Sequence, residues 1–482
     1  MSQVLRLAMK TIGLRRVLRG SSAQIAALGQ QRLQALLALA KNRSPYYADR
    51  LRHVDPSRVV LSELPTLTKS EMMKNFDDLV TERDLKRSEL DAFVSDPGRL
   101  GEWYKGKYAL SRTSGTQGEK ALIVQDRSML ELLFALQVAR GSAFPATVAS
   151  AITRLISPGR FAVITIGRGF FPTATGIAYC PEASQRFVNR LWIQKTEPVE
   201  QVVSELNAFR PQVILSYASV LEMLAREVLA GRLRVTKKSG LRQVLNMSEP
   251  ISQGAKKFVG EAFGIAVTDS YAMGECMALS TACPQGHGMH VQADWAMLEV
   301  VDQDNQPVPN GMPGRKVLVT NLYNTIQPFI RYVVEDVVTM SPMPCPCGSP
   351  LPVILRVEGR RDEMVWIRDG DRFREVHPYV FVDVLDECPE AGAYQIVQTE
   401  RNRFKLRIAP AQGRELGRDD LARLMREGLE RFNLAGLIQF DFELSQRIAS
   451  DVPGGKLKRI TSLVGPPERS AEGARVQPRS VA

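Results

Sequence analysis

Strand-length apolar runs alternate with helical patterns along this 482-residue chain, and that alternation restricts the fold more than any single motif. Residues 161–166, 212–217, 296–301 and 316–320 read as strands. A helix is expected from Ser219 to near Gly231, with Glu222 three residues into it as the partner in a candidate capping box. Another, over 419–432, places Leu421, Leu424, Met425 and Leu429 on one face. The pattern predicts an α/β protein with substantial parallel sheet. Its length suggests about two to four domains. Residues 341–352 hold five prolines and read as a rigid loop. The best boundary follows near Gly359, giving domains at 1–358 and 359–464, with a disordered tail over 465–482.

Charge is distributed unevenly. Residues 1–43 carry eight Lys/Arg and no Asp/Glu, and residues 452–482 carry six against two. Taking both ends from the total of +11 leaves the body at −1, so no basic groove for nucleic acid is indicated. The ends suit peripheral contact with anionic lipid or an acidic partner, or are simply a solvated basic face. No apolar run approaches the roughly 20 residues of a spanning helix. The first twenty residues scatter Arg6, Lys10, Arg15, Arg16 and Arg19 among apolar positions without a signal-peptide core. A soluble, cytoplasmic protein is expected.

Residues 113–120, Thr-Ser-Gly-Thr-Gln-Gly-Glu-Lys, lie between two extended-looking stretches, 108–112 and 121–125. Glycines and small hydroxyl residues let a backbone bend closely around phosphate and offer it N–H and O–H donors. The glycine spacing is not that of a Walker loop. By itself such a loop also suits an ordinary polar hairpin.

This segment resembles the phosphate loop of the adenylate-forming (acyl-CoA synthetase) superfamily, and further pieces follow in the family order. Residues 269–275, Asp-Ser-Tyr-Ala-Met-Gly-Glu, resemble its Tyr-Gly-x-Thr-Glu segment. Residues 331–336 resemble the segment ending in the ribose-binding aspartate, 359–363 the hinge, and 453–459 the terminal catalytic-lysine segment. The opening from Gln31 to Tyr47, with Ser216–Ser219 and Met247–Pro250, is similar to the phenylacetate–coenzyme A ligase and capsular-polysaccharide-type adenylyltransferase branch. The resemblance implies the adenylate-forming fold: a large N-terminal α/β domain, a small mobile α+β C-terminal domain, and a site in their cleft.

It also implies a reaction. A carboxylic acid, aromatic or otherwise small, attacks the α-phosphorus of ATP to give acyl-AMP, and coenzyme A then takes the acyl group. Both first reactants are anionic, so catalysis needs positioning and positive charge more than a strong base. Thr113, Ser114, Gly115, Thr116 and Gly118 would hold phosphate, with Lys120 adding a cation and Thr116 also acting catalytically. Glu275 would be the Mg2+ carboxylate. Tyr271 would pack on adenine beside Asp269, and Asp336 would accept from the ribose hydroxyls, with Arg360 nearby. Tyr217, Ser248 and Glu249 would face the acid. Asp362 would be the hinge, and Lys456 would bridge carboxylate and α-phosphate, with Lys458 as its rival. Read singly, Asp269, Tyr271 and Asp336 equally suit a helix cap, a core side chain and a surface ion pair.

Departures from the family pattern are Gln117 for a loop threonine, Gly274 for the threonine beside the glutamate, and Glu335 for glycine. They motivate a rival reading as a catalytically weakened nucleotide-binding homologue. Another rival delivers the adenylate to a carrier protein, an amine or a hydroxyl acceptor. Six cysteines without a secretion signal favour thiols or metal over disulfides. Cys345 and Cys347 in the proline loop, with Cys283 and His290 before the strand at 296–301, offer three thiolates and an imidazole to a structural Zn2+; His287 and Cys276 are substitutes. Some members of the branch have a comparable cluster. Cys180 and Cys388 read as packing residues.

Overall fold

The computed structural model describes residues 3–465 except 114–119, 142–157, 166–168, 183–187, 195–196, 250, 361–364, 377–378, 387, 389, 411–413, 415, 431, 433, 446–447 and 449–459. Two compact units divide at Arg361 and Asp362. Among the described residues no helix is long and apolar enough to cross a membrane.

The first unit begins with helices α1 (Gln3–Val17) and α2 (Ser22–Arg43). Ser21 and Gln24 start α2 with reciprocal side-chain and backbone bonds, which satisfy two otherwise orphaned N–H groups. A hairpin, β1 (Tyr108–Arg112) and β2 (Leu122–Asp126), leads into α3 (Arg127–Arg140), capped by Asp126. Leu110, Leu122, Val124, Leu33, Leu37 and Phe329 are among the fully buried side chains of one continuous core.

A parallel sheet then fills residues 159–270. Strands β3 (Gly159–Thr165), β4 (Val188–Gln194), β5 (Val213–Ser216), β6 (Gln243–Met247) and β7 (Val267–Ser270) lie in the order 4-3-5-6-7. Helices α4 (Val199–Phe209), α5 (Ala218–Leu229) and α6 (Gln253–Phe263) connect them, and each buries one apolar stripe in a second core. The expected capping box at Ser219 does not form. Tyr217 is the N-cap, Ser219 lies inside α5, and Glu222 points to its buried side.

The remainder of this unit is antiparallel. Strands β8 (Ser280–Ala282), β9 (Met289–Val291), β10 (Ala296–Val301), β11 (Lys316–Asn321), β12 (Tyr332–Val334), β13 (Asp336–Met340) and β14 (Val353–Arg360) form two sheets, ordered 10-11-12 and 13-14-9-8. The runs at 296–301 and 316–320 are therefore strands, as expected, but they pair with each other antiparallel.

The second unit opens with the hairpin β15 (Val365–Asp369) and β16 (Arg372–Val376), turning at Gly370 with φ +61°. A four-stranded sheet of β17 (Ala391–Glu400), β18 (Arg403–Pro410), β19 (Gln439–Leu444) and β20 (Ile460–Ser462) follows, with helices α7 (Tyr379–Asp386) and α8 (Arg418–Glu430). Leu421, Met425 and Leu429 bury one face of α8, as its periodicity predicts, and Leu424 packs beside them. A Cβ at Gly428 would lie 2.4 Å from Val384 Cγ1, so glycine permits the close approach of α7 and α8.

Candidate functional site

The carboxyl ends of the parallel strands converge on one edge of the first unit, where open α/β sheets take their ligands. Beyond β7, Ser280 clamps the chain at Tyr271: its hydroxyl donates to the Tyr271 carbonyl at 2.7 Å and accepts from the Tyr271 N–H at 3.2 Å. The Tyr271 hydroxyl donates to Asp336 Oδ2 at 2.8 Å, joining two expected site residues that are 65 positions apart. Asp336 opens β13, where it pairs in register with Arg360 of β14. Asp269 lies on β7, and its carboxylate is engaged by Asn246 at 3.0 Å and by Lys256.

Glu275 is nearly inaccessible. Its Oε1 accepts a 2.8 Å bond from the Tyr332 hydroxyl, and Asn321 Nδ2 donates to its backbone carbonyl at 2.7 Å. The same segment grips the β1–β2 hairpin. Asn324 Nδ2 donates to the Val124 carbonyl at 3.0 Å, while Gln327 donates to the Leu122 carbonyl and accepts from the Val124 N–H, both at 3.0 Å. All three amides are fully buried, so this polar clamp replaces water for each group it meets. Thr113 and Ala121 close the neck of the hairpin loop through Thr113 N–H to the Ala121 carbonyl and Ala121 N–H to Thr113 Oγ1, both 2.9 Å. Lys120 is exposed beside that neck.

Ser114, Gly115, Thr116, Gly118, Asp362 and Lys456 lie outside the described residues, as do the rival Lys458 and the departure Gln117. The departure at Gly274 has a steric cause. A Cβ there would lie 2.6 Å from Ile123 Cδ1 and 2.9 Å from Pro172 Cγ. Of the residues expected to face the acid, Tyr217 is buried beyond β5. Ser248 takes φ +58° just past β6, and Glu249 accepts the Ser219 N–H at 3.0 Å. Tyr332, Asn321, Asn324 and Gln327 were not foreseen. Their partners are distant in sequence, although Tyr332 stands inside the recognised 331–336 segment.

A second cluster lies where β8, β9 and the proline loop meet. The ligand atoms of Cys283, His290, Cys345 and Cys347 all fall within 4.8 Å of one another. Cys283 and Cys345 sulfurs are 3.7 Å apart, and Cys347 Sγ lies 3.5 Å from His290 Nε2. A tetrahedral zinc with ordinary bond lengths has S···S and S···N edges of about 3.8 and 3.5 Å, so the donors fit that ion in type, number and spacing. Gly288 (φ +97°) and Gly348 (φ +81°) turn the two loops, and a Cβ at Gly288 would lie 2.3 Å from the Ile354 carbonyl oxygen. Burial pushes the Cys345 thiol up to about 12. Burial also opposes a thiolate at Cys283, but N–H donors from Gln285 and His287 and the neighbouring thiols outweigh it and lower its pKa. Burial, with the neighbouring His287, lowers the pKa of the His290 imidazole. The substitutes stand apart from this group: His287 is exposed, and Cys276 is buried beside Tyr323 with its thiol raised to about 12. Cys180 and Cys388 are only partly buried.

Residues 189–320 match the AMP-binding enzyme family. A phenylacetate-coenzyme A ligase from Thermus thermophilus is 26% identical over 465 residues, which are 91% of this chain and 97% of that protein. The structure of 2-hydroxyisobutyryl-CoA ligase in the postadenylation state with 2-HIB-AMP aligns with a TM-score of 0.71 at 20% identity, covering 92% of this chain and 91% of that one. The same ligase with 2-HIB-AMP and CoA in its thioesterification state aligns with a TM-score of 0.55 at 20% identity, covering 93% and 91%. The fold expected from the ordered motifs is borne out.

Proposed function

We propose that this chain, whose fold and AMP-binding region are those of an adenylate-forming enzyme, converts a carboxylic acid to its coenzyme A thioester through acyl-AMP. The observation that carries the reading is the joined pair of tyrosine–carboxylate contacts, Tyr271 to Asp336 and Tyr332 to Glu275, clamped through 321–327 to strand β2, which follows the 113–120 loop. That clamp supports a ribose acceptor, a metal-facing carboxylate and a phosphate loop acting as one assembly.

In this reading Asp336 accepts from the ribose hydroxyls, with Tyr271 orienting its carboxylate and flanking adenine. Asp269 and Arg360 complete the nucleotide's surroundings, while Thr113, Ser114, Gly115, Thr116, Gly118 and Lys120 take the phosphates. A substrate carboxylate oxygen forms a bond to the α-phosphorus as pyrophosphate leaves; the CoA sulfur then bonds to the acyl carbon as AMP leaves. Lys456 supplies the cation of the first step, and Asp362 is the hinge position. Tyr217, Ser248 and Glu249 shape the acid's pocket. Glu275 would hold Mg2+, which would neutralise phosphate charge. Cys283, His290, Cys345 and Cys347 would hold Zn2+ as a structural ion, since four protein donors leave no open coordination position. CoA is preferred to a carrier protein because the similar proteins are CoA ligases.

Asp336→Ala and Glu275→Ala test the site. The first is expected to weaken ATP binding, measured by calorimetry; the second is expected chiefly to impair magnesium-dependent adenylation. Wild-type behaviour of both variants would refute the assignment.

A further inference from the structure

Helix α1 is apolar on two sides. Its inner side packs Leu7 and Leu14 toward α3, where Glu131 receives Arg6 and Lys10 at 3.1 Å each. Its outer side carries Leu5, Met9 and Ile12, which are 50, 56 and 60% exposed. Their i, i+4, i+7 spacing puts all three on one helical face. Among the described residues no other helix exposes more than one large apolar side chain. The inner contacts already anchor α1, so the outer stripe is not needed to hold it in place.

The surrounding charge identifies what the stripe would meet. Arg16 and Arg19 are exposed at its C-terminal end and make no ion pair with described residues. Arg6 and Lys10 flank one edge and Arg15 the other, while the first acidic residue of the chain is Asp49. We propose that α1 seats the protein on an anionic lipid surface. Leu5, Met9 and Ile12 enter the headgroup–acyl boundary, and Arg16 and Arg19 meet the anionic headgroups. This surface is independent of the ligase reading. A second copy fits poorly, because two-fold pairing sets like charges against each other with no carboxylate in the first 43 residues to answer them. An acidic protein would need a groove shaped to a convex helical ridge, whereas a bilayer accepts that ridge directly.

The test is co-sedimentation of the full chain with vesicles of phosphatidylcholine, alone or mixed with phosphatidylserine. Binding is expected only to the anionic vesicles. The double variant Met9→Ser, Ile12→Ser is expected to abolish it. The pair Arg16→Gln, Arg19→Gln is expected to lower partitioning about 30-fold, or about fivefold per cation near such a surface. Both variants should keep the wild-type unfolding midpoint, and if the serine pair does not, the arginine pair decides. No vesicle binding, equal binding to both compositions, or an arginine pair that binds like wild type would overturn the proposal. Self-association that disappears in the serine pair without any vesicle binding would assign the stripe to a second copy instead.

Discussion

Replacing Tyr332 with phenylalanine removes the one side-chain donor described for Glu275, at a place water barely reaches. A hydrogen bond to a charged group is commonly worth about 1.5–3 kcal/mol. Tyr332→Phe is therefore predicted to slow magnesium-dependent adenylation roughly tenfold or more and to raise the magnesium concentration it requires. ATP affinity measured without magnesium should stay close to wild type. An unchanged magnesium dependence would mean that the tyrosine only packs. Gly274 permits a contrary check on the weakened-homologue reading. Restoring the family threonine forces a side chain into Ile123 and Pro172, so Gly274→Thr is predicted to cost about 1–3 kcal/mol in urea unfolding without quickening turnover. A faster enzyme would show that the missing hydroxyl, not space, limits this site.

Between elements, one buried carboxylate holds several together. Asp294 receives Arg140 at 2.7 and 2.9 Å and Arg32 at 3.1 Å, while Arg140 also donates to Gln292 and to the Leu14 carbonyl. It thus ties α1, α2 and α3 to the turn before β10. Burial opposes the charged form of Asp294, but the two guanidiniums outweigh it and hold the carboxyl below its ordinary range. A lowered carboxyl stabilises the fold above the ordinary carboxylate range, and that contribution is lost as pH falls through the lowered value. Asp294→Asn is predicted to cost about 3–5 kcal/mol in denaturant unfolding at neutral pH, because it strands a buried guanidinium. A loss under about 1 kcal/mol would show that Gln292 and Leu14 suffice for Arg140. The cluster of Cys283, His290, Cys345 and Cys347, proposed to hold zinc, makes a parallel prediction. Protein purified without chelator should contain one zinc per chain, and Cys345→Ser should lower that content and loosen the loop between β13 and β14. A content near zero in the wild-type protein would contradict the assignment.

For the molecule as a whole, what could be read beforehand was whatever is local or ordered along the chain. The strand runs, the apolar face of α8, the cysteine and histidine loops, and the succession from Thr113 through Tyr271 and Glu275 to Asp336 all belong to that class. Contacts between distant residues were not legible: Tyr332 with Glu275, and Asn324 and Gln327 with the hairpin, depend on packing that no spacing rule reports. The capping box at Ser219 failed for the same reason, since the helix starts earlier, with Tyr217 as its N-cap, and the distant Glu249 takes the Ser219 N–H. Pairing direction was not legible either, because β10 and β11 resemble buried parallel strands in composition while belonging to an antiparallel sheet. Lys456 carries the last residue-specific expectation. Lys456→Ala should slow adenylation about 100-fold or more, the magnitude of losing one preorganised charge-stabilising group, while transfer from supplied acyl-adenylate suffers far less. The most direct measurement is acid-dependent exchange of pyrophosphate into ATP across a library of carboxylic acids, followed by addition of CoA to the active pairs. Exchange that requires one class of acid, and thioester formation once CoA is added, is the predicted result. ATP binding without exchange for any acid in the library would contradict it.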